Sequence, residues 1–312
     1  MTNSQLRIIT KLGFFLLFLY APILDIFRFD LTLGHFILFG QAWSLNVESI
    51  MQQGDSVDAA VRIFSRVLLP LVGFIVATGL IIYRYGRIYC GWLCPHFSVV
   101  EMINDLMLKQ LNRITLWEKA SVVSKGVLPK LMVFLAAFVI ALLWALALLS
   151  YLLPPLPLLN DFVHFQLGFG ATIFVSAATL VFTADFIFAR HLFCKYGCAL
   201  GLFQSLIWMA NNKAMVVKFD RARAKACREC SLNKTQKACD EACPMRLPTR
   251  NMKRAKFTCT QCAQCVSACA EVQKNNPNGS LLHWAIGKEA VEVDRKAVQK
   301  YTPNIAIQHI DK

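Results

Sequence analysis

Cys227-x2-Cys230-x8-Cys239-x3-Cys243-Pro244, and then Cys259-Thr-Gln-Cys262-Ala-Gln-Cys265-Val-Ser-Ala-Cys269, is the stretch that decides the C-terminal fold. It holds eight of the twelve cysteines. The second run has the spacing by which one segment wraps three thiolates around a cubane iron-sulfur cluster and sends a fourth to a neighbouring one. Two-residue gaps let the backbone curl so that successive thiolates reach different irons, and the three-residue step turns the last sulfur away. The crossed assignment gives Cys227, Cys230, Cys239 and Cys269 to a first [4Fe-4S] centre. Cys259, Cys262, Cys265 and Cys243 form the second. The eight-residue gap from Ser231 to Ala238 reads as an outward loop, and Pro244 matches the usual end of such a run. Structural zinc is the rival, because zinc sites also use Cys-x2-Cys pairs.

Outward from this stretch the chain is apolar. Of 312 residues, 56% are hydrophobic and only 17% charged, with a mean hydropathy of +0.47. A soluble domain averages about a quarter charged, so the deficit points to lipid. The net charge of +14 fits the excess of Lys and Arg on cytoplasmic membrane loops better than nucleic-acid binding. Four crossings are expected: Leu12 to about Phe27, Val67 to Tyr83, Leu131 to Leu153, and Phe169 to Ala189. The first apolar run reads as an anchor and not a cleaved leader. Leu31 to Leu45 reads as a re-entrant or interfacial piece, and residues 46 to 66 as a polar loop. Val99 to Lys130, with five lysines and arginines against three acids, reads as a basic amphipathic helix against headgroups. Pro154-Pro155-Leu-Pro157 ends the third crossing. Asp185 reads as a snorkelling or capping residue of the fourth, in preference to a proton-relay role.

Both termini then lie in the cytoplasm, with every strongly basic loop and all twelve cysteines on that side. Their setting argues for a reducing compartment and against disulfides. The expected fold class is an all-α polytopic membrane domain of four transmembrane helices, residues 1–213. It is followed by a small bacterial-type ferredoxin-like domain with two [4Fe-4S] clusters and a C-terminal tail, residues 214–312. No glycine-rich phosphate loop follows a strand-like run, which leaves no flavin or nicotinamide site.

Cys90 and Cys94, and Cys194 and Cys198, end the second and fourth crossings as two Cys-x3-Cys pairs. On a helix, thiols at i and i+4 share a face. Three readings fit the set: a third metal centre, either an iron-sulfur cluster or a thiolate copper site; a redox-active dithiol arrangement; and cysteines packed as small hydrophobes. His96 and His191 flank the pairs as candidates for metal ligation or for approach to a quinone headgroup. Tyr89, Trp92, Phe193 and Tyr196 read as interfacial anchors or as walls of a quinone pocket.

Gly86-Arg-Ile-Tyr-Cys-Gly-Trp-Leu-Cys-Pro95 and His191-Leu-Phe-Cys-Lys-Tyr-Gly-Cys198 resemble the polyferredoxin-like membrane proteins, and the resemblance runs from about Leu12 to about His283. That group includes the accessory protein of cbb-type cytochrome oxidase assembly, the membrane quinol-dehydrogenase subunit of periplasmic nitrate reduction and the nitrous-oxide reductase regulator. Cys194-Lys-Tyr-Gly-Cys198 with Phe203-Gln-Ser205, and Cys259 to Cys269 followed by Ala-Glu-Val, are most similar to the oxidase accessory branch. Ala199 stands where the family motif has proline, and a four-crossing chain ending in its ferredoxin unit looks more like the quinol-dehydrogenase branch.

The resemblance implies an iron-sulfur electron-transfer protein of the bacterial inner membrane, with its cluster domain on the cytoplasmic side. It would relay electrons between a quinol or a cytoplasmic donor and a respiratory partner protein. The alternative it implies is an assembly factor for a copper-containing oxidase, handling copper at Cys90, Cys94, Cys194 and Cys198.

Overall fold

The computed structural model describes residues 3–43, 56–111, 126–189, 191–228, 230, 237–250 and 257–299. In chain order it runs through α1 (Asn3–Tyr20), strands β1 (Phe27–Asp30), β2 (His35–Leu38) and β3 (Gln41–Trp43), α2 (Ser56–Ile63), α3 (Leu69–Tyr85), α4 (Ile88–Trp92) and α5 (Pro95–Leu111). It continues with α6 (Leu128–Ser150), α7 (Pro155–Val163), α8 (Phe169–Ala184), α9 (Ala199–Met209), β4 (Val216–Phe219), α10 (Ala238–Glu241), α11 (Gln264–Val272), β5 (Leu282–Ala285) and α12 (Lys288–Gln299). Stretches of π-helix occupy Phe64–Leu68, Asp185–Ala189 and Phe193–Gly197.

Three helical runs among the described residues are long and apolar enough to cross a membrane: Ala60–Tyr85, Leu128–Ser150 and Phe169–Ala189. Each exceeds the length that about 30 Å of hydrocarbon requires. The first is almost wholly uncovered by protein, and Phe74 in it is 70% exposed. Such a surface is unfavourable in water and ordinary in lipid. The helix predicted from Leu12 instead occupies Asn3–Tyr20, so Arg7 and Lys11 fall inside it.

Two compact units cut the chain differently from the boundary at 213/214. One comprises described residues of Ile9–Val76 and Leu93–Cys194; the other takes those of Met1–Ile8, Ala77–Trp92 and Lys195–Lys312. In the first, α6 packs on α8 and on α5. Ala137, Ala141 and Ala145 recur every fourth residue along α6 and are fully buried, the small side chains that let helix backbones approach closely.

Four sequence expectations are corrected within that unit. The stretch read as a re-entrant or interfacial piece is an antiparallel meander, pairing Phe27 with Leu38 and Phe36 with Trp43. Gly34 and Gly40, at φ +69° and +74°, turn it as only glycine does without strain. Residues 56–63, read as polar loop, are helical and continue into the span. The basic helix α5 does not expose its apolar stripe to headgroups: Val99, Val100, Ile103 and Met107 join Val133, Trp144 and Phe186 in one core. Residues 112–125 of the same expectation lie outside the described residues. Finally, Pro155 does not merely end α6 but starts α7 from its first position, where its missing N–H is not needed.

In the second unit β4 pairs antiparallel with β5, Val216 opposite Ala285 and Phe219 opposite Leu282. Trp208, Ala214, Val216, Ala285 and Ala290 form its core, with Cys259 packed against it. The Trp208 indole donates to the Met215 carbonyl at 3.1 Å, as does the Gln261 amide at 2.6 Å. These bonds tie the pair of strands to the cysteine loop.

Candidate metal centres

The loop from Cys259 to Cys265 is wound by two left-handed residues, Gln261 at φ +55° and Ala263 at φ +61°. Neither is glycine, so each conformation costs about 1–2 kcal/mol and persists because its surroundings demand it. Their effect is to turn Cys259, Cys262 and Cys265 toward one cavity, which Cys243 also lines beside Met245 and Leu247. The Leu247 amide donates to Cys243 Sγ at 3.4 Å.

A second cavity in the same unit is lined by Cys227, Cys230, Cys239 and Cys269, with Phe219, Lys237 and Leu282. Cys265 and Cys269 are one turn apart on α11, yet they serve different cavities. A short helix thus carries a sulfur to each. One turn further, Gln273 is 3% exposed and its amide nitrogen donates to Cys230 Sγ at 3.0 Å and to the Ala226 carbonyl at 3.3 Å. Its carbonyl accepts from Asn276 at 2.6 Å, which fixes the orientation of the amide.

All twelve cysteines are free thiols. Burial pushes the Cys259 thiol up to about 12 and that of Cys243 up to about 11, and it raises Cys265, Cys239 and Cys227 as well. Such thiols stay protonated at neutral pH unless a bound metal takes the proton's place. Among the described residues no three or more His, Cys, Asp or Glu side chains are grouped to hold a single metal ion. Around zinc four sulfurs would sit about 2.3 Å from one centre, whereas in a cubane each thiolate binds its own iron at a cube corner and the sulfurs stand further apart. Four sulfurs lining each of two cavities fit cubanes better than zinc.

Cys90 and Cys94 do not share a helix. Cys90 lies in α4, and Cys94 at the break before α5. Cys194 lies in a π-helical stretch and Cys198 caps α9 in an extended conformation. The i, i+4 geometry therefore fails for both pairs. Cys90 and Cys198 belong to the unit with the eight ferredoxin-type cysteines, Cys94 and Cys194 to the other.

Arg87, in the motif that holds Cys90 and Cys94, is 1% exposed. It donates to the Phe257 carbonyl at 3.2 Å and to Cys90 Sγ at 3.9 Å. Burial raises the Cys90 thiol, and the Arg87 charge opposes that rise. Cys90 Sγ in turn faces Gln204 Oε1 at 3.5 Å. The Trp92 indole donates to the Gln261 carbonyl at 2.9 Å, beside Trp284. Gly91 is required there, since a Cβ would meet the Thr260 carbonyl at 2.3 Å and Cys262 Cα at 2.9 Å.

In the other unit His96 joins Asp185 and Cys194. His96 Nε2 is 2.9 Å from Asp185 Oδ2, and Nδ1 is 3.7 Å from Cys194 Sγ, with the ring against Phe186 and Phe193. Asp185, which caps the C-terminal end of α8, is also the partner of a histidine. His191 is buried, and Arg190 lies outside the described residues. Sequence reasoning missed Gly91, Gln204 and Gln273 as neighbours of the cysteines. A glycine inside a cysteine motif was the only signal available.

A 4Fe-4S binding domain family matches the chain twice, over residues 67–113 and 169–216. These segments contain the Cys90/Cys94 and Cys194/Cys198 pairs. Among curated relatives, YccM of Escherichia coli K12, named for electron transport, is 26% identical over 227 residues, 72% of this chain and 57% of that protein. The ferredoxin-type protein NapH of Haemophilus influenzae is 24% identical over 215 residues, 65% of this chain and 68% of its own. The methylamine utilization ferredoxin-type protein MauN of Methylorubrum extorquens is 26% identical over 190 residues, 60% of this chain and 55% of its own. No solved structure matches. With three helices apolar enough to span a membrane and with ferredoxin-type relatives, the chain is similar to polyferredoxin-type membrane iron-sulfur proteins as a group and to no single branch of them.

Proposed function

We propose that this protein relays electrons at a membrane through two [4Fe-4S] clusters, one held by Cys227, Cys230, Cys239 and Cys269 and the other by Cys243, Cys259, Cys262 and Cys265. The observation that carries this reading is the pair of cavities, each lined by four cysteines drawn from both runs. Such a cluster takes up or gives up one electron at a potential set by ligands, hydrogen bonds to sulfur, charge and burial. The chain supplies each of these. Apolar side chains such as Met245, Leu247 and Leu282 shield the cavities, the Leu247 amide reaches a ligand sulfur, and Arg87 brings a buried positive charge beside the loop of the second centre.

In this reading α1 makes a fourth crossing, and the positive-inside distribution puts the clusters in the bacterial cytoplasm. A membrane quinol or a cytoplasmic donor reduces them, and a respiratory partner with an acidic face accepts the electrons from the basic surface. Iron and acid-labile sulfide are the direct test. About eight of each per chain is expected from two cubanes, about twelve assigns iron to the remaining cysteines as well, and none overturns the reading. For exchange of electrons with the quinone pool, in either direction, chemically reduced protein should be reoxidised by a quinone analogue. Reoxidation by cupric ion alone, lost in Cys90→Ser, replaces the relay with the metal-handling role.

A further inference from the structure

Gln273 follows the last cysteine by four residues and has no place in any cluster motif. The structure nonetheless buries it against a proposed ligand. It caps the C-terminus of α11, its own amide N–H returning to the Cys269 carbonyl at 3.0 Å. That bond keeps the helical phase, so the side chain stands one turn beyond Cys269 on the face that meets the Cys227 cavity. Across the cavity wall its Nε2 reaches Cys230 Sγ at 3.0 Å, a contact between residues 43 apart in sequence. Ala226, whose carbonyl takes the second N–H, precedes Cys227. Asn276 donates to the remaining oxygen, so the amide cannot flip without losing all three contacts. At the other cavity the sulfur contacts come from the backbone, such as that of Leu247 to Cys243 and that of Gln261 to Cys259.

We propose that Gln273 is a potential-setting residue: its side-chain amide donates a hydrogen bond to a ligand sulfur of the Cys227, Cys230, Cys239, Cys269 centre and raises the potential of that centre alone. The inference rests on the two-cluster reading. One-electron reduction adds negative charge that is shared by the ligand sulfurs, and an N–H aimed at such a sulfur holds the reduced form more strongly than the oxidised one. A side-chain donor can be removed without touching the main chain, which a backbone donor does not allow. The two centres are therefore separately adjustable, and Gln273 is the handle on the first.

The test is an EPR-monitored redox titration of the full chain in detergent, with iron and sulfide counted on the same samples. Cys230→Ser, which perturbs its own centre, identifies which signal belongs to it. Gln273→Met keeps the length and removes the donor. One of the two midpoints is expected to fall by roughly tenfold in the reduction equilibrium, about 59 mV for one electron, while the other stays. Gln273→Glu keeps the shape, loses the donor and adds a negative charge, and is expected to lower the same midpoint further. Full iron content with both midpoints unmoved in the two variants overturns the inference and leaves the clusters standing. A shift confined to the Cys259 centre overturns it too. Absence of iron from the wild-type chain overturns the two-cluster reading and this inference with it.

Discussion

Gly91 and Ala263 show how single backbone positions shape the cysteine loop. A methyl group on Gly91 would press on the Thr260 carbonyl and on Cys262 Cα, both main-chain atoms that cannot swing aside. Gly91→Ala is expected to cost about 1–3 kcal/mol and to lower iron retention at the Cys259 centre; an unchanged iron count and melting temperature would contradict the packing described. Ala263 holds a left-handed conformation that a β-branched side chain resists more than alanine does. Ala263→Val should therefore destabilise by more than about 1 kcal/mol, and Ala263→Gly should be neutral or mildly stabilising. Thermal unfolding of the three proteins side by side reads the order directly. Arg87, Trp92 and Asp185 carry a different lesson. The last two were read as residues at the boundary of a membrane span, and each of the three has a buried or half-buried partner that lies far along the chain.

At the level of elements, α11 and the pair α6 and α8 matter most. If α11 delivers one sulfur to each cavity, Cys265→Ser and Cys269→Ser should damage different centres. The two variants should lose complementary EPR signals while each keeps about half of the iron; loss of the same signal in both would contradict the crossed arrangement. Along α6, alanines at 137, 141 and 145 are fully buried in the contact with its neighbours. Ala141→Leu inserts three carbons where none fits and should cost about 1–3 kcal/mol, seen as a lower midpoint for heat-induced loss of helical circular dichroism in detergent. The meander from Phe27 to Trp43 has the reverse history. Its hydropathy resembles a piece of membrane helix, and only the two glycines at the turns and the alternation around them mark it as strand.

For the whole molecule, the half-buried thiols of Cys243 and Cys259 link metal, pH and folding. Without metal, Cys243 and Cys259 have folded-state values of about 11 and 12 against an ordinary 9.0. Because the folded value is the higher one, their contribution to the stability of the metal-free fold is complete below about pH 9. It is lost as pH rises through 11 and 12. Urea unfolding of iron-free protein should show falling stability from about pH 8 to about pH 10.5, a trend that bound clusters abolish because they hold the same sulfurs as thiolates. Equal stability at both pH values would refute the burial of these thiols. Much of this was legible in the amino-acid order. Cysteine spacing is a local property, since a gap of two or three residues restricts where the next sulfur can go, and a run of some twenty apolar side chains has few homes besides a bilayer. The ligands of the proposed clusters and the three spans are read from such short-range facts. What the tertiary structure alone decided are contacts between residues tens of positions apart: Gln273 on Cys230, Arg87 on Phe257, His96 between Asp185 and Cys194, and Trp92 on the cysteine loop. No spacing rule reaches that far, because loop closure is cheap at almost any length and the partner is chosen by packing, where burying a polar group requires that its hydrogen bond be made.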